Sequence, residues 1–176
     1  MAAFTVIDHT ELTGTTAYWE ETGISSSYDH LMLVTSLRGD RSGVEWGNTL
    51  LSLNSTSGGT AYSETYLSAD TATPVSGRLS ARANYTSLIT SEADALADTF
   101  ASAVLWIPHY ANTANFKSFS SRSVAPNNST TDTEWQVRVG AGLYASTAAI
   151  TAIRIDGNAS DFVQYSTFTL YGITGA

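Results

Sequence analysis

Three histidines (His9, His30, His109), sixteen acids and abundant serine are the groups with which this 176-residue sequence could do chemistry. A nucleophilic serine needs a strained turn and a base within hydrogen-bond reach. The sequence has no Gly-x-Ser-x-Gly elbow. Asp29 and His30 are adjacent, so in a strand their side chains point to opposite faces. His30 then reads as the entrance residue of a core strand. Paired carboxylates can hydrolyse glycosides when they sit about 5–10 Å apart in a cleft. Glu20-Glu21 and Asp132–Glu134 are the obvious pairs, and their turn-flanking positions read as solvated acid. There is no cysteine, so no thiolate site or disulfide. Asp156-Gly157-Asn158 with Asp161 could offer oxygens to calcium, but a turn between strands needs the same residues. No catalytic residue, metal ligand or cofactor is assigned, and the chain is expected not to be an enzyme.

Two further motifs concern binding. Arg38-Gly39-Asp40 spells an adhesion tripeptide, in a loop whose turn requires Gly and Asp anyway. The aromatic residues offer a second possibility. Trp106 and Trp135 lie in apolar alternation and read as core. Trp19 and Trp46 lie near strand ends and are the candidate surface aromatics for a ligand or partner.

These residues sit on short apolar alternations punctuated by Gly, Asn, Ser and Asp. Leu31 and Leu33 oppose Met32 and Val34, which predicts a central strand apolar on both faces. Thr49, Leu51 and Leu53 point inward on the next strand. After the loop from Asn54 to Gly59, with Gly58 and Gly59 open to positive φ, Tyr62, Glu64 and Tyr66 suggest a more exposed strand. Phe100–Ile107 is an apolar run closed by Pro108. Trp135, Val137 and Val139 alternate with Gln136 and Arg138, and Ile153 and Ile155 with Arg154. Phe168 and Leu170 oppose Tyr171 and Ile173. Residues 91–97 form either a short helix capped by Ser91 or an Ala-rich loop. The sequence predicts one domain over residues 1–176. Its fold class is all-β, an antiparallel two-sheet sandwich, jelly-roll-like, with nine to eleven strands and at most one short helix.

Composition narrows the partners. Hydrophobic residues make up 43% and charged residues 14%, against about 25% charged in an average domain. The formal net charge is −8, and Lys117 is the sole lysine. Without clustered cations, neither nucleic acid nor an anionic membrane is an expected partner. The N-terminus lacks the basic and apolar regions of a signal peptide, so synthesis in the cytoplasm is expected.

One family fits these segments in order. Tyr28-Asp29-His30-Leu31-Met32-Leu33, Leu37-Arg38-Gly39-Asp40-Arg41-Ser42 and Gly47–Asn54 come first. Trp106-Ile107-Pro108-His109-Tyr110-Ala111 and Phe116-Lys117-Ser118 follow. Ile150-Thr151-Ala152-Ile153 and Thr169-Leu170-Tyr171-Gly172-Ile173 close the set. Over about residues 15–173 the chain resembles small structural proteins of tailed bacteriophages. The resemblance implies a jelly-roll-like virion protein. It would be a stand-alone capsid decoration or cement protein, often trimeric, bound to the major capsid protein or other virion proteins. The alternative it offers is a tail-fibre or receptor-binding module for host carbohydrate. No active-site residue carries over. For contact with a shell, the apolar N-terminal strand with Phe4, Val6 and Ile7 is the candidate segment, docking by strand addition; the alternative is that it completes its own sheet.

Overall fold

The structure, a computed structural model, describes residues 3–56, 59–70, 73–130 and 134–175. Gly58 and Asp132 fall outside the described residues. Among the described residues twelve strands form: β1 (Ala3–Glu11), β2 (Tyr18–Thr22), β3 (His30–Leu37), β4 (Trp46–Leu53), β5 (Tyr62–Asp70), β6 (Thr73–Arg82), β7 (Ile89–Ser91), β8 (Ala101–Pro108), β9 (Lys117–Ala125), β10 (Gln136–Tyr144), β11 (Ala152–Gly157) and β12 (Thr167–Thr174). They build two antiparallel sheets, of order β1-β12-β3-β8-β9-β10-β5-β6 and β2-β11-β4-β7.

Eight of these strands make a jelly roll. The chain passes between a four-strand layer β1-β12-β3-β8 and a facing layer β2-β11-β4-β7. Two hairpins are inserted into this frame, β5–β6 between β4 and β7, and β9–β10 between β8 and β11. Both add to the first layer and double its width. They account for the strands beyond the usual eight.

The core lies where the layers face each other. Leu31, Leu33, Leu105, Ile107 and Leu170 of the wide sheet meet Leu51, Leu53, Ile153 and Ile155 of the narrow one. The expected alternations of β3, β4, β11 and β12 are all present. β3 is central, but of the four residues expected to be buried only Leu31 and Leu33 are; Met32 and Val34 point away from the core and are half-buried. Asp156-Gly157-Asn158 ends β11, yet no hairpin follows. The neighbours of β11 are β2 and β4, and the chain crosses to the other sheet as β12.

Residues 92–100 are turns and irregular chain, and no α-helix forms among the described residues. The cause is Arg38. Its guanidinium donates to the carbonyls of Ala93, Ala95, Leu96 and Thr99 at 2.9–3.1 Å. These carbonyls therefore point at one cation instead of along a helix axis. Asp94 adds to this by accepting the Gly43 N–H at 2.9 Å. The adhesion tripeptide is thus bonded within the fold through Arg38 and Gly39, with Asp40 at the surface. Gly39 is buried, and Asp40 Oδ1 accepts the Asp161 N–H at 2.9 Å.

Candidate interaction surface

The narrow sheet faces the jelly-roll half of the wide sheet and touches the inserted hairpins where Ile89 packs on Ala125 and the Leu53 N–H donates to the Tyr62 hydroxyl at 2.7 Å. Beneath the inserted hairpins runs a different cover, the segment Tyr85–Leu88, which belongs to no strand. One edge of it bonds to β4. Tyr85 exchanges both backbone hydrogen bonds with Leu51 at 2.9 and 3.1 Å, and the Thr49 N–H donates to Leu88 C=O at 2.9 Å. Its middle lies against the hairpins, where no ladder partner exists. A buried backbone group without a partner is costly, so side chains must supply the bonds.

They come from the inward positions of β5, β9 and β10. Glu64, 3% exposed, accepts the Thr86 N–H at 3.0 Å and the Ser87 hydroxyl at 3.1 Å. Ser123 and Ser121 donate to Ser87 C=O at 2.9 and 3.3 Å. Arg138, 8% exposed, donates to Thr86 C=O at 3.3 Å and to Asn48 Oδ1 at 2.7 Å. Its guanidinium lies 4.8 Å from the Tyr66 ring centre. Burial lowers the Arg138 pKa, and the Glu64 charge opposes that shift. The Tyr85 phenol bonds Ser121 at 2.6 Å, and burial pushes its pKa up to about 12. Gly140 and Gly142 complete the inner side of β10. A Cβ at either would strike the Tyr85 hydroxyl or the Phe119 ring, so both must lack one.

This reverses the expected facing of two strands. Glu64 and Tyr62 are buried, not on an exposed strand. Gln136 and Arg138 point in, and Val137 and Val139 point out. Strand side chains alternate with period two, so turning the polar set inward turns the apolar set outward. Leu67, Val124, Val137, Val139 and Leu143 all stand on the outer face, Leu67 at 59% and Val139 at 51% exposure.

The rest of that face continues the pattern. Register aligns Val6, Tyr171, Met32 and Trp106 across β1, β12, β3 and β8. The next row reads His9, Thr169, Val34, Val104, Arg122, Val139, Leu67 and Ser76 across the full sheet. Among the described residues, seven of the twelve exposed large hydrophobic ones lie here, adding Phe4 and Val6 to the five above. Isolated surface apolar residues are ordinary; a contiguous set marks an interaction site. Charge is as uneven. Among the outward strand positions of this sheet, Glu11 at one corner is the single acid, against Arg78 and Arg122.

The other candidate residues are placed as follows. Phe4 and Val6 are exposed on β1, which pairs with β12 on one side and leaves its other edge free. Ile7 sits at a bulge and packs on the core. Trp19 is not a surface aromatic. It is buried, stacked on Phe168 at 5.1 Å, with its indole N–H donating to Asp8 Oδ2 at 3.1 Å. Trp46 is half-buried and packs on Ile89, Ala101 and Ala125, with the Arg138 guanidinium 5.9 Å from its ring centre. Trp106 and Trp135 are half-buried instead of core. His30 Nδ1 accepts the His109 N–H at 3.2 Å, and the His30 ring packs against Trp106. Glu20 and Glu21 diverge; Glu20 approaches Arg154 at 3.9 Å. Lys117, the sole lysine, is buried and donates to two carbonyls. Among the described residues, no group of three or more His, Asp or Glu gathers in a way that could hold a metal. Compared with known protein families, curated proteins and solved structures, the chain matches none.

Two outcomes follow from the inverted strands. Val139→Thr on the outer face should change stability by less than about 0.5 kcal/mol, whereas Ser123→Ala, beneath it, should cost about 1–2 kcal/mol; chemical denaturation of the two variants checks this order. The raised Tyr85 pKa keeps the folded phenol neutral above pH 10, where the unfolded one ionises. That contribution is complete below pH 10 and is lost as pH rises toward 12, by roughly 1.4 kcal/mol per pH unit. Urea midpoints at pH 9, 10 and 11 should fall more steeply for the native protein than for Tyr85→Phe.

Proposed function

We propose that this chain is a non-enzymatic assembly protein, a structural component of a bacteriophage virion. In this reading it is a decoration or cement protein, trimeric, attached to the major capsid protein of an assembled shell. The observation that carries the assembly role is the outer face of the wide sheet, apolar and nearly free of acid in a chain of net charge −8. Interface cores are enriched in Tyr, Trp, Phe, Met and Arg and depleted in Lys, Asp and Glu. Tyr171, Trp106, Phe4, Met32 and Arg122 give this face that composition. The phage assignment rests on the sequence resemblance. The free edge of β1, with Phe4 and Val6 beside it, is the proposed shell contact by strand addition. Several such contacts on one oligomer would add to firm retention even when each is weak.

The second reading, a tail module for host carbohydrate, has its own observation on the opposite side. A polar cleft of about 440 Å³ opens there, lined by Glu20, Ser52, Ser55, Asn84, Arg154 and Asp156. The exposed Tyr18 ring stacks on the Arg154 guanidinium beside it.

Co-sedimentation with assembled shells separates the two. The decoration reading expects the protein to pellet with shells in numbers near those of the major shell protein, and a Val6→Pro variant in β1 to stay in the supernatant. One or a few copies per particle, or glycan-array binding that Tyr18→Ala abolishes, would instead favour the tail module.

A further inference from the structure

We infer that the partner seated on the outer face of the wide sheet is a second copy of this chain. The inference rests on the reading of that face as an interface, and adds which molecule covers it.

Electrostatics comes first. Each copy carries a net charge of −8, so two copies repel wherever acids meet acids. The outer face is where that repulsion is least. Among its strand positions the charged groups are Arg78, Arg122 and the corner acid Glu11. The opposite side differs. There the narrow sheet presents Glu20 and Asp156 around Arg154, and the neighbouring loops add Asp40 and Asp161. A surface so acidic rejects its own copy; the wide sheet's face does not. Like charge therefore selects this face for self-contact and disfavours the alternatives.

Area comes second. Eight strands at about 4.8 Å spacing and about 26 Å length make a face of roughly 900 Å². Two such faces together bury about 1,800 Å², within the range of stable interfaces. A face this wide exists because both inserted hairpins join the same sheet.

Third, the apolar set is placed for packing, not for solution. Leu67, Val137 and Val139 line one shallow apolar hollow with Ala69 and Pro74. Val124, Val104 and Arg122 line the next, with Val137 and Val139 between them. Branched aliphatics standing on a pleated face are what sheet-on-sheet packing interdigitates. Face on face, the contact closes two copies about a two-fold axis, a dimer in place of the trimer that the resemblance implies, and it shields these rows from non-specific association.

Sedimentation velocity on the full chain, over about 1–100 μM, tests this. The native protein is expected to self-associate, and more tightly at higher salt, since salt screens the net repulsion. Val139→Asp and Arg122→Glu, whose folding is checked by denaturation, should each weaken association about a hundredfold. Thr22→Asp, on the opposite sheet, should leave it unchanged. An oligomer that survives both outer-face changes overturns the inference. So does a native protein that stays monomeric at every concentration. In that monomeric case, loss of shell binding in Val139→Asp would leave the face an interface with another occupant, and retained shell binding would remove the face from assembly altogether.

Discussion

The backbone of Thr86 and Ser87 must find hydrogen-bond partners in a place where no strand can supply them. Much else in the molecule depends on that requirement. The narrow sheet is four strands wide and the wide sheet eight. The segment Tyr85–Leu88 fills part of the difference, bonded to β4 on one edge. On its other side Glu64, Ser121, Ser123 and Arg138 act as a substitute ladder. A buried carboxylate and a buried guanidinium are expensive to desolvate. Here their hydrogen bonds go to groups that would otherwise be orphaned, and the two charges lie near enough to favour each other.

The pleat carries this choice to the other side of the sheet. Because β5, β9 and β10 turn their polar residues in, they turn Leu67, Val124, Val137 and Val139 out. The hairpins therefore depart from the usual pattern in part, with Glu64, Ser121, Ser123 and Arg138 inside beside Tyr62 and Phe119, and with Leu67, Val124, Val137, Val139 and Leu143 toward solvent. They lie flush with the jelly-roll strands β1, β12, β3 and β8, whose outer rows already carry Val6, Tyr171, Met32 and Trp106. A structural demand inside one half of the molecule thus widens an apolar surface on its outside. The proposed assembly role and the proposed self-contact both stand on that surface.

The jelly-roll half was legible in the sequence. Leu31 and Leu33, Thr49, Leu51 and Leu53, Ile153 and Ile155, and Phe168 and Leu170 face an apolar layer, so their alternation reports their burial directly. The hairpin half was not. There the inward side faces backbone polar groups, and an apolar residue is the wrong partner for those. Alternation in β10 was visible, but its sign depends on a segment more than fifty residues away in sequence, as in the Arg138–Thr86 bond. One signal did carry the sign. Gly140 and Gly142 share a side of the strand with Gln136 and Arg138. Strand glycines often mark a close approach, so that side is the packed one. The loop at 92–100 was illegible for a related reason, since Arg38 reaches its carbonyls from more than fifty residues upstream. Trp19 read as peripheral because it lies near a strand end. Its burial comes from Phe168, at the far end of the chain.

Native-state hydrogen exchange at the Thr86 amide tests the central claim most directly. This N–H lies outside every strand, and its partner is a side-chain carboxylate. If the substitute ladder holds the hairpin half together, the amide exchanges only by global unfolding, as slowly as those of Leu33 and Leu105. In Glu64→Gln it should exchange markedly faster relative to those two. Exchange in the native protein at the rate of an exposed loop would contradict the account.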